Sequence, residues 1–333
     1  MSNESEYEVT SRVISVLLRH QRRAGVSECT GDPCENCTEA HRDRILRFVR
    51  EATAIDFVLP GFPGKSPNRQ KVLGLVPDMA EKLSLHFLNA ICEKIREVYP
   101  HGARIVICSD GRVFSDIVGI HDSDIISYRA ALQDFIAQQR YSSIRVFGLD
   151  DVRPELGHWA TRAWLLREYG ESIDELKARV RDEEELRILH TGLVRVLTED
   201  ANRSAKAESR ATPDSPGERR GYRLLQRSRA WGRVIAERFP HAVRLSIHPQ
   251  RCGSRKLGIR MVDAVDDWIT PWHGVAVDMA GRFVLMKRCD AEELGASLVY
   301  AKGRPSHYVL PGAGVPRQVW SSTPRASHVV QGL

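Results

Sequence analysis

A repeated order of apolar run, polar loop and helical pattern constrains the fold of this chain more than any other feature. The apolar runs at residues 54–59, 104–108 and 144–149 have the length of buried strands, and apolar residues at helical spacing separate them at 77–98 and 124–138. This order is typical of parallel strands joined by helices. The sequence therefore predicts an α/β protein with a Rossmann-like sheet flanked by helices and with additional helical segments.

The predicted organisation has two parts. Helical patterns at residues 7–23 and 39–52 precede the first strand, which indicates an N-terminal helical segment over residues 1–53. Residues 54–333 are then expected to form the α/β domain. Within it, residues 199–221 are the most polar stretch of the chain, and they are interpreted as an exposed or mobile connection.

Charge and hydropathy limit the classes of function. No apolar run approaches the roughly 20 residues of a membrane span, and the acidic, polar start is unlike a signal peptide, so a cytoplasmic protein that does not bind membranes is expected. The 49 Lys and Arg residues against 43 Asp and Glu give a net charge of +6. These basic residues are spread through the chain, which argues against nucleic-acid binding. A non-catalytic anion- or nucleic-acid-binding protein stays an alternative because the isoelectric point is near 9.0.

The N-terminal cysteines raise the question of a metal. Cys34 and Cys37 form a CxxC pair, and Cys29 and His41 lie close by in the sequence. A closed zinc site usually takes ligands from two such pairs, and the chain has no second CxxC, so thiols without a metal are expected. The phosphate-binding, dinucleotide-binding, nucleophile-elbow and HExxH motifs are also missing, and we predict neither a metal nor an organic cofactor.

Polar side chains cluster in the loops that follow the predicted strands. After the first strand, Lys65 and Lys71 can neutralise a phosphate or carboxylate, and Ser66 and Asn68 can add hydrogen bonds. The alternative is an ordinary solvated loop. Further acids, bases and cations follow later strands, the first two of them in a predicted polar turn: Asp110, Arg112, His158, His248, His273 and Lys287. Each of these residues is common in a purely structural role, but catalytic groups converge at strand ends.

Long segments of the chain resemble the pyoverdine/dityrosine biosynthesis family, which includes isocyanide (isonitrile) synthases. The resemblance spans most of residues 57–308. It rests on these segments: FVLPGFPGKSPNRQKVLGLVPDMAE (57–81), IVICSDGRVFSDIVGIHD (105–122), GHWATRAWLLREYG (157–170), RAWGRVIAERFPHAVRLSIHPQ (229–250), KLGI (256–259), TPWHGVAVD (270–278) and GRPSHY (303–308).

The resemblance implies a reaction between an aromatic L-amino acid, tyrosine or tryptophan, and ribulose 5-phosphate. The amino nitrogen is retained, and the ketone carbon of the sugar becomes the isocyanide carbon. The resemblance implies no metal or redox cofactor, and it implies a downstream tailoring oxygenase as a possible partner. Formation of N-formyl tyrosine, as in dityrosine biosynthesis, is the alternative within the family.

Such a reaction needs a base for the amine, an acid for the departing water and cations for the phosphate. We predict catalytic roles for Lys65, Asp110, His158 and His273, with Lys65 as the candidate for a Schiff base to the ketone. Substrate binding is assigned to the remaining candidates: Ser66, Asn68, Lys71, Arg112, His248 and Lys287. These assignments predict that Lys65, Arg112, His158 and His273 share one cavity.

Overall fold

The computed structural model describes residues 3–24, 29, 34–201, 216–264 and 269–310. Its main sheet has five strands: β1 (Ile55–Gly61), β2 (Ala103–Ser109), β3 (Ile144–Gly148), β4 (Val243–Ser246) and β5 (Leu257–Gly258). All neighbouring pairs are parallel, in the order β3-β2-β1-β4-β5. The predicted α/β class and the flanked parallel sheet are confirmed.

The inner strands are apolar on both faces, because helices cover the sheet on each side. Phe57 and Leu59 of β1 belong to one hydrophobic core, whereas Val58 between them belongs to the core on the opposite face. The same alternation in β2 places Ile105 on the first side and Val106 on the second. This pattern explains why the strands appear in the sequence as continuous apolar runs.

Ten helices lie among the described residues: α1 (Asn3–Leu18), α2 (Glu35–Arg50), α3 (Met79–Val98), α4 (Gly111–Val118), α5 (Asp122–Gln138), α6 (His158–Tyr169), α7 (Ile173–Asp182), α8 (Glu184–Ala201), α9 (Pro216–Arg238) and α10 (Arg288–Glu293). Side chains of α1 and α2 share a hydrophobic core with β1, β2 and α3. None of the helices in the described ranges has the length and apolarity that a membrane span requires.

Two loop predictions need correction or restriction. The polar turn predicted after β2 is helix α4, because Val113, Phe114 and Ile117 repeat at helical spacing and bury one face. The polar connection predicted at residues 199–221 is helical at both ends, since α8 continues to Ala201 and α9 begins at Pro216. Its central residues, 202–215, lie outside the described part of the chain.

A second sheet packs against α3. Its four strands are β6 (Val275–Met279), β7 (Arg282–Met286), β8 (Ser297–Ala301) and β9 (Arg304–Val309). They pair in the order β7-β6-β9-β8. Their buried side chains pack with Ala80 of α3 in a separate apolar cluster.

The direction of chain progression reverses beside β1. From β1 the chain moves through β2 to β3, and after helices α6 to α9 it returns to the other side of β1 as β4. In open α/β sheets such a reversal leaves a crevice at the carboxyl ends of the strands, where ligands bind. The fold thus predicts a binding site beyond Gly61 and Ser246.

Candidate active site

A cavity of about 380 Å³ lies at this crevice. It is lined by the loops after β1, β2 and β4, by the end of α8 and by the segment Thr270–His273 that precedes β6. The volume is in the range of sites that hold a small-molecule ligand. Among the residues predicted for the site, six line this cavity: Ser66, Lys71, Asp110, His248, His273 and Lys287.

Asp200 is the centre of the charged wall of the cavity. Its Oδ1 accepts hydrogen bonds from Lys71 Nζ at 2.6 Å and from Ser66 Oγ at 3.0 Å. Its Oδ2 lies 3.7 Å from His273 Nε2. Burial alone would raise the pKa of Asp200, but His273 and Lys71 together hold that pKa well below the ordinary aspartate value. Asp200 is therefore a fixed negative charge facing the cavity.

The loop after β1 holds the end of α8 in place. The Asn68 amide group donates a hydrogen bond to the Glu199 carbonyl oxygen at 3.0 Å, and the Asn68 backbone N–H donates to Ser66 Oγ at 3.1 Å. Lys71 Nζ and Lys287 Nζ lie 3.2 Å and 3.8 Å from Glu199 Oε2. Asn68 is buried and does not line the cavity. Its geometry fits a positioning role and not the predicted contact with substrate.

Asp110 also lines the cavity, and its carboxyl has few hydrogen-bond partners. It precedes α4 without capping the helix by a side-chain hydrogen bond, and its buried Oδ1 has no hydrogen-bond partner among the described residues. Burial raises the pKa of this carboxyl to about 7. Gly111 makes the arrangement possible, because a Cβ at this position would lie 2.0 Å from the Pro63 carbonyl oxygen. The close approach ties the β2–α4 turn to the loop after β1.

His273 and His248 differ in their surroundings. His273 Nδ1 is 3.1 Å from Thr270 Oγ1, so its ring is fixed between Thr270 and Asp200. Burial, together with the nearby charge of Arg22, lowers the pKa of His248 to about 4. His248 is consequently neutral near pH 7 and offers a hydrogen bond, not a positive charge.

Lys65, which was predicted to contact substrate, is not among the residues that line the cavity. Its side chain is fully buried, with Nζ at 2.8 Å from Asp78 Oδ2 and 2.9 Å from Glu81 Oε2, and it donates to the Pro271 carbonyl oxygen at 3.0 Å. Burial favours the neutral amine, but the two carboxylates outweigh it and raise the pKa of Lys65. A Schiff base requires a neutral amine in contact with the ketone, and this geometry offers neither. Lys65 instead anchors the segment that carries His273.

Arg112 and His158 also lie outside the cavity lining, so only His273 of the four residues expected to share one cavity is there. Arg112 is buried and points to Asp150, with Nε 3.1 Å from Oδ1, and to Asp122. The turn in which it was predicted is helix α4, and the helix directs this side chain away from the cavity. His158 is half-buried at the first residue of α6.

Sequence reasoning missed several residues that face the cavity, namely Arg22, Arg195, Glu199 and Asp200. Asp200 and Glu199 lie in the stretch interpreted as an exposed connection, where their acidic character gave no signal. Arg195 lies one helical turn before Glu199, and this spacing would have placed it on the same face of a helix had α8 been predicted to continue. Arg195 is exposed and has no ion-pair partner in the described ranges.

Most of the remaining lining, apart from Ser228, is apolar. These apolar side chains come from α4, α8, α9, the loop after β4 and the segment before β6: Phe114, Val118, Ile120, Leu193, Val196, Leu197, Leu224, Ile247, Ile269 and Trp272. Trp272 is itself packed against Phe62, with ring centroids 5.1 Å apart. The cavity thus combines a surface for a large apolar group with a cluster of titratable groups.

Comparison with known proteins shows similarity to members of one family along nearly the whole chain. The sequence model of the family described as "Pyoverdine/dityrosine biosynthesis protein" matches residues 45–299. The chain is 42% identical to the L-tyrosine isonitrile synthase of Xenorhabdus nematophila, over 91% of this chain and 92% of that protein. It is 40% identical to an L-tryptophan isonitrile synthase of Fischerella ambigua, over 90% and 91% of the two chains.

The fold also matches a solved structure. The crystal structure of PvcA from Pseudomonas aeruginosa superposes with a TM-score of 0.83 at 42% sequence identity. The match covers 91% of this chain and all of that chain. Fold and sequence similarity therefore extend over the same residues that form the cavity.

Proposed function

Because the chain belongs to the pyoverdine/dityrosine biosynthesis protein family, we propose that it is an isocyanide synthase. It converts the amino group of an aromatic L-amino acid, tyrosine or tryptophan, into an isonitrile, with ribulose 5-phosphate as the carbon donor. The names of its relatives support the reaction type and this choice of amino acids. The single observation that carries the proposal is one cavity whose lining combines apolar side chains with the Lys71–Asp200–His273 cluster.

The apolar part of the lining fits the aromatic side chain of the amino acid. Burying a ring against Phe114, Leu197 and Trp272 removes apolar surface from water and leaves the amine and carboxylate at the charged wall. The cavity volume of about 380 Å³ leaves room for a small second substrate beside the ring.

His273 and Asp110 are the acid–base pair of this proposal. The amine must lose a proton before its nitrogen attacks the ketone carbon, and His273, oriented by Thr270 and Asp200, accepts that proton. The resulting carbinolamine must lose its hydroxyl as water, and protonated Asp110 donates the proton for this step. The remaining sugar carbons then leave by enolisation and carbon–carbon cleavage with expulsion of phosphate, which makes the enzyme a lyase that uses side chains alone.

The phosphate of the sugar requires cations near the cavity mouth, since it carries nearly two negative charges near pH 7. Lys71 is engaged with Asp200 and Glu199, so it is not the main phosphate ligand in this scheme. Arg195 has no ion-pair partner in the described ranges, and Lys287 is half-exposed. We assign these two side chains to phosphate binding, and Lys71 to holding Asp200.

The test is incubation of the purified protein with ribulose 5-phosphate and either tyrosine or tryptophan, with no added redox cofactor, followed by mass analysis of the product. Sugar labelled with carbon-13 at the ketone position is expected to give an isonitrile that carries the label. An N-formyl product, one water heavier, would support the alternative within the family. Absence of any sugar phosphate consumption with every aromatic amino acid would overturn the enzymatic proposal.

A further inference from the structure

Four cysteines from distant parts of the sequence meet at one point. Cys29, Cys34, Cys37 and Cys252 place their Sγ atoms within 4.8 Å of one another. Cys34 directly precedes α2, Cys37 lies in its first turn, and Cys252 comes from the loop between β4 and β5. Cys252 is 215 residues from Cys37, so the sequence alone gave no second ligand pair.

The sulfur–sulfur distances fit a metal ion bound between the four sulfur atoms. They are 3.4 Å for Cys34–Cys252, 3.8 Å for Cys37–Cys252 and 3.9 Å for Cys29–Cys37. A tetrahedron with Zn–S bonds of about 2.3 Å has edges of about 3.8 Å. A disulfide needs about 2.05 Å, and none of the seven cysteines forms one.

The surroundings of the cluster suit thiolates. Cys34 and Cys37 are buried at the N-terminal end of α2, where the helix dipole favours negative charge. Gln21 Nε2 donates a hydrogen bond to Cys37 Sγ at 3.7 Å, and Gln21 Oε1 in turn accepts from Arg23 Nε at 2.9 Å. Such donors around a metal site orient its ligands and offset the charge of the thiolates.

We propose that Cys29, Cys34, Cys37 and Cys252 bind one zinc ion in a closed, structural tetrathiolate site. The four sulfurs coordinate as thiolates, so their protons are released to solvent on binding and the complex carries two negative charges. A tetrahedral set of four soft sulfur ligands selects zinc or iron, and zinc requires no redox partner. With four protein ligands, no position is left for substrate, and the ion takes no part in the chemistry.

The zinc site would fix one wall of the cavity. The segment after α1 contacts β5 through a hydrogen bond from Arg22 N to Gly258 O at 2.8 Å, and it contacts the loop between β4 and β5 through one from Ala24 N to Gln250 O at 2.9 Å. This loop carries His248 and Pro249, which line the cavity, and Cys252 follows them by a few residues. A zinc ion would join both segments to α2 and stabilise their pairing.

The experiment measures metal binding directly in the full chain, so its outcome is independent of the isonitrile proposal. The protein is purified without chelators, and metals are quantified by mass spectrometry. We expect one zinc per chain. After replacement of zinc by cobalt, we expect the intense visible absorption of tetrahedral cobalt with thiolate ligands.

Two variants make the result specific. Cys252→Ser removes the ligand from the half-buried loop, and we expect loss of most of the zinc and a changed cobalt spectrum. Cys289→Ser removes a cysteine outside the cluster and should leave both unchanged. Metal analysis of Cys29→Ser gives a second measurement if Cys252→Ser does not fold. Wild-type protein without stoichiometric zinc, with iron in its place, or with a disulfide among these four cysteines would overturn the proposal, as would full zinc retention in Cys252→Ser.

Discussion

Two carboxylates that line the cavity, Asp110 and Asp200, have opposite environments. Asp200 is bonded to Ser66 and Lys71 and faces His273, and its pKa is held well below the ordinary value. The buried Oδ1 of Asp110 has no hydrogen-bond partner in the described ranges, and burial raises the pKa of its carboxyl to about 7. Carboxylates whose environments separate their pKa values divide the roles of charged partner and proton donor between them.

The difference originates in how the fold presents each residue. Asp200 lies at the C-terminal end of α8, where the helix dipole disfavours a negative charge, and Lys71 and His273 compensate. Asp110 lies before the short helix α4 with no side-chain capping bond. The dipole there favours the charged form, but burial outweighs it. The position of each carboxyl relative to a helix end therefore affects its pKa less than burial and the charged partners from neighbouring loops do.

Asp200→Asn is expected to have the largest effect, about a 10³-fold loss of isonitrile formation, because His273 loses its charged partner and Lys71 loses its closest counter-ion. Steady-state assays by product mass measure the loss. Asp134→Asn removes an exposed carboxylate from α5 and should retain activity. Wild-type turnover in Asp200→Asn would remove the distinction between the two carboxylates.

Asp110→Asn is expected to lower turnover by about 10²-fold, because an amide cannot donate the proton of an acid. In the wild type, the active form is the protonated carboxyl, so turnover should fall as pH rises through about 7. The residual activity of Asp110→Asn should lack this limb. A limb that persists unchanged in the variant would assign it to another group.

The same substitution tests the raised pKa through stability. The folded state holds the Asp110 proton up to about pH 7, whereas the unfolded chain releases it near pH 4, so this residue contributes stability that is lost as pH rises between these values. At pH 8, Asp110→Asn should therefore unfold at a higher temperature than the wild type. We expect its unfolding free energy to be larger by about 1–2 kcal/mol, a value that allows for solvent screening in the cavity. At pH 4 the difference should vanish.

Lys65→Met tests whether the buried ion pairs of Lys65 hold the segment that carries His273 in place. It leaves Asp78 and Glu81 buried without their cation and releases the Pro271 carbonyl, so we expect a loss of about 3 kcal/mol in unfolding free energy and about tenfold lower turnover. Lys94→Met, an exposed lysine of α3, is the matched control. Borohydride reduction with both substrates should leave Lys65 unmodified, and a trapped sugar adduct on this residue would restore the Schiff-base mechanism.

The fold was largely predictable from the sequence because its signals are local. Buried strands such as Phe57–Leu59 are continuous apolar runs, and α3 combines an apolar stripe with Asp78 and Glu81 as a capping box. Helix α4 was missed because it is only eight residues long and starts at the glycine of a Ser-Asp-Gly sequence, which is typical of turns. Its apolar face becomes meaningful only once the sheet is present to cover it.

Six of the predicted residues line the cavity, and all of them except His273 follow the end of a strand. Asp110 and His248, which follow β2 and β4, line the cavity. Lys65 and Arg112 follow strands as well, yet Lys65 pairs with the buried Asp78 and Arg112 with the half-buried Asp150, and neither cation lines the cavity. Asp200 and the cysteine cluster depend on contacts over more than 120 residues, as between Lys71 and Asp200 with 129, and no local pattern contains such contacts.

Lys287→Ala is expected to have the smallest effect. It distinguishes phosphate binding by Lys287 from the chemistry assigned to Asp110 and Asp200. Lys287 Nζ is half-exposed and 3.8 Å from Glu199, so solvent and salt screen its charge. We expect about a threefold rise in KM for the sugar phosphate with little change in kcat, and a smaller rise at high salt. Lys94→Ala should alter neither constant. A change confined to kcat would instead place this ammonium beside the reacting atoms, and phosphate binding would then rest on Arg195.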